Sequence, residues 1–315
     1  MIKNIYNKEP LYIENDVAVF SDNDNYIENY EKISQDHLTH LAEQGENPFM
    51  SEEYWQSLEA VTLKQIVTIL KPGDKILDVG VGLGRLLSQI ELSVDKFGVD
   101  ISKSYLSEAK AKGINVCLSK IEELPYHDNL FDVIVTTDVL EHVFDLNQCV
   151  KEIKRVLKPN GYLIVRVPYR EDLSAYINYD QYEFIHLRNF DENYLDLFFR
   201  KIFNFKFINY ELAGIIEDNT RLHIPFQSSK YKVNFFENLI QHYKLNKYYN
   251  KTRKDFCIAM LSEYNRFNFS FQKLFFVNQF FKIVYHFLNL VTSKEVYERT
   301  QLFRHIEISA IFKKQ

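Results

Sequence analysis

One stretch of the chain concentrates the residue types that recognise a nucleoside. Asp78-Val79-Gly80-Val81-Gly82-Leu83-Gly84-Arg85 places three glycines at alternate positions directly after a short apolar run. Glycines there let the backbone turn sharply and come close to a ligand. A helix that starts behind them points its N-terminal N–H groups into the same crevice. The spacing differs from the GxGxxG of nicotinamide-binding proteins: Arg85 stands where the third glycine would fall, and that glycine comes one residue early, as Gly84. The next apolar run ends at Asp100 in Phe97-Gly98-Val99-Asp100. An acid at the end of a second strand can accept hydrogen bonds from both ribose hydroxyls of an adenosine.

These residues need strands and helices to hold them, and the pattern supplies both. Lys75 to Val79 reads as a strand, and a helix follows from Arg85. Phe97 to Val99 is a second strand, and Ser102 caps a helix that Gly113 stops. Ile114 to Leu118 and Val133 to Thr136 are the third and fourth strands. Asp145 with Gln148 forms a capping-box-like start to a helix that KPNG ends. Tyr162 to Val167 is a fifth strand. Asp191 caps a helix with Leu195, Phe198, Phe199 and Ile202 inward, and Ile208 to Leu212 is a sixth strand. Strands alternating with helices predict a mostly parallel sheet covered on both faces, with ligands at the strand C-termini. Upstream, a helix is expected over Tyr26 to Glu43, and Ser51 caps another carrying Trp55, Leu58, Thr62, Ile66 and Ile69.

Composition narrows the function. The 315 residues carry a formal net charge of −5, with no global positive field for a polynucleotide. Cys117, Cys149 and Cys257 are far apart and form no CxxC or Cys/His cluster. They fit a reducing compartment, and neither a disulfide framework nor any metal site is expected. The first twenty residues lack a continuous apolar core, and no run of eighteen apolar residues occurs. No leader or spanning helix is therefore expected, and the cytoplasm is the expected location. The unusual number is 15% aromatic residues, with 26 Phe and 21 Tyr.

The four stretches ILDVGVGLGRLL, GVDIS, LPYHDNLFDVIVTTDVLEHV and EIKRVLKPNGYLIVRVP occur in this order from about Asp74 to Pro168. Together they resemble a class I S-adenosylmethionine-dependent methyltransferase, in the group that includes the ubiquinone-type enzymes. The resemblance implies a Rossmann-like α/β fold, a seven-stranded mostly parallel sheet whose last strand is antiparallel. That strand is expected over Ile306 to Phe312. The division implied is an N-terminal helical extension over residues 1–50, a core over 51–216 and 305–315, and a helical insertion over 217–304. The cofactor implied is S-adenosylmethionine. Asp78 matches the acid under the methionine amino group, Gly80, Gly82 and Gly84 the cofactor loop, and Asp100 the ribose acid. Ile101 matches the residue beside the adenine, and Ile121 offers its N–H at the adenine edge, where Lys120 replaces the frequent acid. Thr137 and Asp138 match positions near the methyl donor. Arg85 either braces the methionine carboxylate or lies on the surface. Glu141 and His142 match a helix start that supports the site, and His127 a solvent loop.

In the resembled family, segments past the fifth strand form the acceptor side. Here they hold Tyr169, Arg170 and Glu171 as substrate-binding candidates, and His186 as the candidate general base for an alcohol acceptor. The expected reaction is methyl transfer to a small molecule, as O-methylation of a sugar or sugar-bearing metabolite. The competing readings are a nicotinamide-dependent oxidoreductase and a binding protein that keeps the cofactor fold without turnover. Phe271 to Val291 reads as an apolar helix with one narrow polar stripe, a cap over the site in the first instance. A dimer interface or a peripheral membrane contact is the other use of such a helix. The stretch Lys244 to Lys254 is basic, with interleaved Tyr. No nucleic-acid partner is expected.

Overall fold

The computed structural model describes residues 5–45, 52–171, 173, 186–215 and 305–315. The expected helical block over 217–304, with the helix over Phe271 to Val291 and the basic Lys244 to Lys254 stretch, lies outside these residues. So do Ser51 and Cys257. One compact unit gathers Met1–Pro48, Glu52–Ala213 and Ile306–Gln315, and a second comprises Phe49–Ser51 and Gly214–His305.

The first unit opens with a hairpin, β1 (Tyr12–Glu14) and β2 (Val17–Val19), and helix α1 (Asn25–Gln44). The Asp24 carboxylate caps α1 by accepting from Tyr26 N and Ile27 N at 3.1 and 3.0 Å, and Gly45, left-handed, ends it. Helix α2 (Glu52–Ile69) follows. Its Leu58, Thr62 and Ile66 are buried at helical spacing.

The alternating core then runs β3 (Lys75–Val79), α3 (Arg85–Ser88), β4 (Asp95–Asp100), α4 (Lys103–Ala111), β5 (Asn115–Leu118), β6 (Phe131–Thr137), α5 (Leu146–Val156) and β7 (Leu157–Pro168). The caps expected at Ser102 and Asp145 form, although the Gln148 side chain donates to Glu122 O instead of closing a capping box. Ser102 Oγ accepts from Tyr105 N at 3.1 Å, and Asp145 Oδ1 accepts from Gln148 N at 3.0 Å. Helix α6 (Glu192–Leu195) continues as a π-helical stretch over Asp196–Ile202, before β8 (Phe205–Ile215) and β9 (His305–Lys314).

The nine strands of the described residues form one sheet in the order β1-β2-β5-β4-β3-β6-β7-β9-β8. β3 lies between β4 and β6, parallel to both, with Asp78 opposite Gly98 and Val135. Strand order turns at β3, so the crevice at its C-terminal end is the topological switch point. β9 is antiparallel to β7, as expected, with Val165 opposite Ala310 and Pro168 opposite Glu307. Seven strands therefore reproduce the expected α/β Rossmann-like sheet. The departure is at the other edge. The region expected as a helical extension also contributes β1 and β2, and β2 pairs in parallel with β5. Three-residue strands carry too little alternation to show in a sequence.

Two apolar clusters fill the unit. Several aromatic rings serve here rather than in the block before the last strand. Phe199 stacks on Phe312 with ring centroids 4.5 Å apart, and Phe131 meets Phe97 and Tyr126 edge-on. Leu195 and Phe199 point inward, but Ile202 is exposed. Hydrogen bonds from i to i+5 change the angular step per residue, so the 3.6-residue pattern loses phase by Ile202. Cys117 and Cys149 are buried free thiols, and burial pushes the Cys117 thiol up to about 12.

Candidate active site

The glycine turn leaves β3 with all three glycines at positive φ: 82° at Gly80, 49° at Gly82 and 71° at Gly84. They serve different ends. A Cβ on Gly80 would fall 2.2 Å from Val139 Cγ2, and one on Gly84 would fall 2.6 Å from Ile114 Cδ1. A Cβ on Gly82 would meet nothing within 4 Å. Gly80 and Gly84 are glycines because protein packs against them, whereas Gly82 opens onto space a ligand can fill. Gly98 was not singled out by the sequence, yet its missing side chain makes room for Val81, whose Cγ2 would lie 2.7 Å from a Cβ there.

Asp78 ends inside the crevice, 2% exposed, with Oδ1 buried and lacking a hydrogen-bond partner among the described residues. Burial, and then the charge of Asp100, hold its carboxyl well above the usual carboxylate range. Such a carboxylate calls for a positively charged donor, and an amino-acid ammonium is one. Asp100 faces it from the end of β4. Its Oδ1 accepts from Ile101 N and Ser102 N at 2.8 and 2.9 Å, and its Oδ2 from Gly82 N at 2.9 Å. Burial raises the Asp100 carboxyl, and these three N–H groups oppose the rise. Two acceptor oxygens offer roughly four lone-pair directions, so Oδ2 retains capacity for a hydroxyl. Ile101 is partly buried beside this turn, and the Ile121 side chain belongs to the apolar core.

Lys120 is committed elsewhere. Its Nζ pairs with Asp24 at the start of α1, and its N–H donates to Ser21 Oγ at 2.9 Å. Arg85 does not reach into the glycine crevice. Its guanidinium bonds Glu52 at 2.7 Å and Glu59 at 3.1 Å, over the Trp55 ring. His127 is exposed, as expected.

Thr137 ends β6, and Asp138 follows with φ 57°, its N–H donating to Arg166 O at 3.0 Å. The Asp138 carboxylate accepts from Arg166 Nη2 at 2.6 Å. Arg166, 2% exposed, also pairs with Glu307 of β9, Nε to Oε2 at 2.6 Å, and its Nη1 donates to Thr62 Oγ1 at 3.3 Å. The Arg166–Glu307 contact is an ion pair at close range without hydrogen-bond alignment. Burial still pushes Glu307 up to about 8 against the pull of Arg166.

Glu141 and His142 do not start a helix. They lie in the turn after β6, where His142 N donates to Val139 O at 3.0 Å. Glu141 is fully buried, and neither carboxylate oxygen has a hydrogen-bond partner among the described residues. Burial, with the charge of Asp138 second, raises its carboxyl well above the usual range. Residues 186–188 are laid onto this turn from the far side. Leu187 N donates to Glu141 O at 2.8 Å, and the Arg188 guanidinium donates to the carbonyls of Val143 and, at 2.7 Å, Phe144. The His186 and His142 rings meet edge-on with centroids 4.6 Å apart, and His186 Nδ1 pairs with Glu171 Oε2. Tyr30 of α1 faces His142 at 6.0 Å.

The remaining acceptor-side candidates are tied to structure. Tyr169 is buried and bridges to Phe190, while Arg170 donates to Glu192 at 2.7 Å. The fold thus brings Glu171 and His186 together, and adds Glu141 and His142. The signal for that addition was present, since Glu141 and His142 follow the strand whose end carries Asp138.

Residues 77–165 match the family model of a methyltransferase domain. An uncharacterized protein of Methanocaldococcus jannaschii is 35% identical over 122 residues, which cover 37% of this chain and 58% of that protein. A ubiquinone/menaquinone biosynthesis C-methyltransferase of Vibrio cholerae is 34% identical over 129 residues, 36% of this chain and 49% of that enzyme. A solved S-adenosylmethionine-dependent methyltransferase from Archaeoglobus fulgidus superposes with a TM-score of 0.49 at 18% identity, over 84% of this chain and 97% of that one. The chain spans about half the length of the curated relatives it matches. With the glycine turn and the two acids in place, residues 77–165 form a methyltransferase domain, similar to that of the ubiquinone-type C-methyltransferase. S-adenosylmethionine is the cofactor this domain implies, and the orphaned Asp78 oxygen and the open space at Gly82 fit it.

Proposed function

We propose that the chain transfers the methyl group of S-adenosylmethionine to a hydroxyl of a small molecule, a sugar or a sugar-bearing metabolite. The observation that carries the reading is the crevice at the end of β3, where the Asp78 oxygen is buried with no partner among the described residues and the turn donates from Gly82 N to Asp100. Asp78 would receive the methionine ammonium and Asp100 the ribose hydroxyls, with Ile101 beside the adenine and the Ile121 N–H at its edge. The cofactor supplies a methyl group already activated on a sulfonium. The protein's task is then chiefly alignment in a site that excludes water. Thr137 ends the neighbouring strand, and Arg166 fixes Asp138 directly after it. A hydroxyl acceptor must lose a proton, and the Glu141, His142, His186 and Glu171 group is the polar cluster beyond Asp138 where that can happen. A cluster built around two histidines supports an oxygen acceptor over a ready amine nucleophile.

Calorimetry with S-adenosylmethionine and with NAD tests the cofactor. Binding of NAD alone would refute the reading. A labelled methyl donor, incubated with the protein and a pool of hydroxylated metabolites, tests the acceptor. Label recovered only on nitrogen or carbon would refute the O-methylation.

A further inference from the structure

We propose that Glu141, His142 and His186 form a binding site for a divalent first-row transition-metal ion, with Glu171 positioning His186. A donor atom from each of the three lies within 4.8 Å of the others. A cation with bonds of ~2.0–2.2 Å sets its donors about 3–4 Å apart, so small side-chain rotations close the site.

Four observations support an ion there. Glu141 is 0% exposed, and both its oxygens lack a hydrogen-bond partner among the described residues. A buried carboxylate is paired, protonated or coordinated to a metal. Charge points the same way. Asp138, Glu141 and Glu307 are mutually close carboxyls, and Arg166 contacts the first and third but not Glu141. Glu141 is thus left without a cationic partner among the described residues, a place that a dication can take.

A carboxylate that can orient one of the imidazoles is in place as well. His186 Nδ1 faces the Glu171 carboxylate, and a proton donated from Nδ1 to it would leave the lone pair on Nε2. Carboxylate–histidine pairs of this kind orient a metal-ligating imidazole and raise its basicity. Finally, the two sequence-distant segments that carry the ligands are anchored to each other: Leu187 N donates to Glu141 O at 2.8 Å, and the Arg188 guanidinium to the Val143 and Phe144 carbonyls.

Two imidazoles and one carboxylate suit Zn²⁺, Co²⁺, Fe²⁺ or Mn²⁺ better than Mg²⁺ or Ca²⁺, which favour all-oxygen sets. Three protein ligands leave positions open for water or a hydroxyl, and an ion there lowers the pKa of what it binds. That consequence rests on the methyltransferase reading: the acceptor hydroxyl would bind the ion, and His186 would be a ligand rather than the base.

The test uses the full chain, stripped with a chelator and titrated with Co²⁺ and Zn²⁺ by calorimetry, with Co²⁺ absorption reporting imidazole ligation. One ion per chain is expected. His142→Gln and His186→Gln should weaken it by at least about 100-fold, and Glu171→Gln by ~10–100-fold. Glu141→Gln keeps shape and should abolish the rise in melting temperature that the ion gives the wild type. No ion bound by the wild type, or unchanged affinity in all four variants, overturns the proposal. S-adenosylmethionine titrated into the same samples separates the two readings. Cofactor binding without an ion overturns the metal site alone, and ion binding without cofactor overturns the cofactor reading alone.

Discussion

Alanine substitutions at the three glycines of the turn should separate packing from ligand binding. At Gly80 the new Cβ would fall 2.2 Å from Val139 Cγ2 while φ is 82°. Left-handed backbone costs ~1–2 kcal/mol and overpacking a further ~1–3 kcal/mol, so Gly80→Ala should lose about 2–5 kcal/mol of stability. Gly84→Ala belongs to the same class, because its Cβ would meet Ile114 Cδ1 at 2.6 Å and the Ala109 backbone at 3.0 Å. At Gly82 nothing lies within 4 Å. Gly82→Ala should therefore cost only the backbone term, about 1–2 kcal/mol. The methyl would instead occupy the space through which the turn approaches the cofactor. Its affinity should fall about 10–100-fold, or ~1.4–2.7 kcal/mol. Urea denaturation of the ligand-free protein measures the first quantity and S-adenosylmethionine calorimetry the second. A Gly82→Ala protein that binds the cofactor like the wild type would refute the view that this gap is ligand space. A Gly82→Ala protein as unstable as Gly80→Ala would refute the packing argument.

Asp100→Ala removes the acceptor of three backbone N–H groups. Cofactor affinity should drop by about 1.5–3 kcal/mol for each ribose hydrogen bond lost, and an unchanged affinity in calorimetry would show that Asp100 does not hold the ribose. Arg166→Met strands Asp138 and the buried Glu307, and denaturation should show a loss of about 3–5 kcal/mol; a loss under about 1 kcal/mol would mean the guanidinium is dispensable to the core. Lys120→Ala breaks a partly exposed pair with Asp24, so stability should change by no more than about 1 kcal/mol, with cofactor affinity kept. A large loss of affinity would place Lys120 at the adenine after all. The raised Asp78 carboxyl makes binding pH-dependent. The ammonium needs the ionised form, so affinity should climb as pH rises through the Asp78 pKa. Ligand-free stability should fall over the same window, because the folded state holds the proton more tightly than the unfolded chain. Calorimetry and urea melts across pH read both trends, and a flat affinity profile would exclude Asp78 as the ammonium acceptor.

The sequence by itself determined the alternating core of this protein and the glycine turn within it. The apolar runs have strand length, the helices between them carry caps, and the glycines and acids fall where strands end. All of that is local chemistry, so the turn holding Asp78, Gly80, Gly82 and Gly84 and the strand that ends at Asp100 were legible as structure, whereas the antiparallel run of β9 against β7 was implied by the family resemblance. What escaped depends on contacts between distant segments. The β1–β2 hairpin is too short to carry a pattern, and joins the sheet only because β5 offers an edge. Lys120 stood out as a departure at the adenine edge, and the fold turns it to Asp24 of the N-terminal segment. Glu141 and His142 read as a helix start. Tertiary structure set them in a turn instead, and Arg188 laid His186 against them. Residues 142 and 186 share no periodicity, so only the packing of two loops could bring the two imidazoles and the buried carboxylate together.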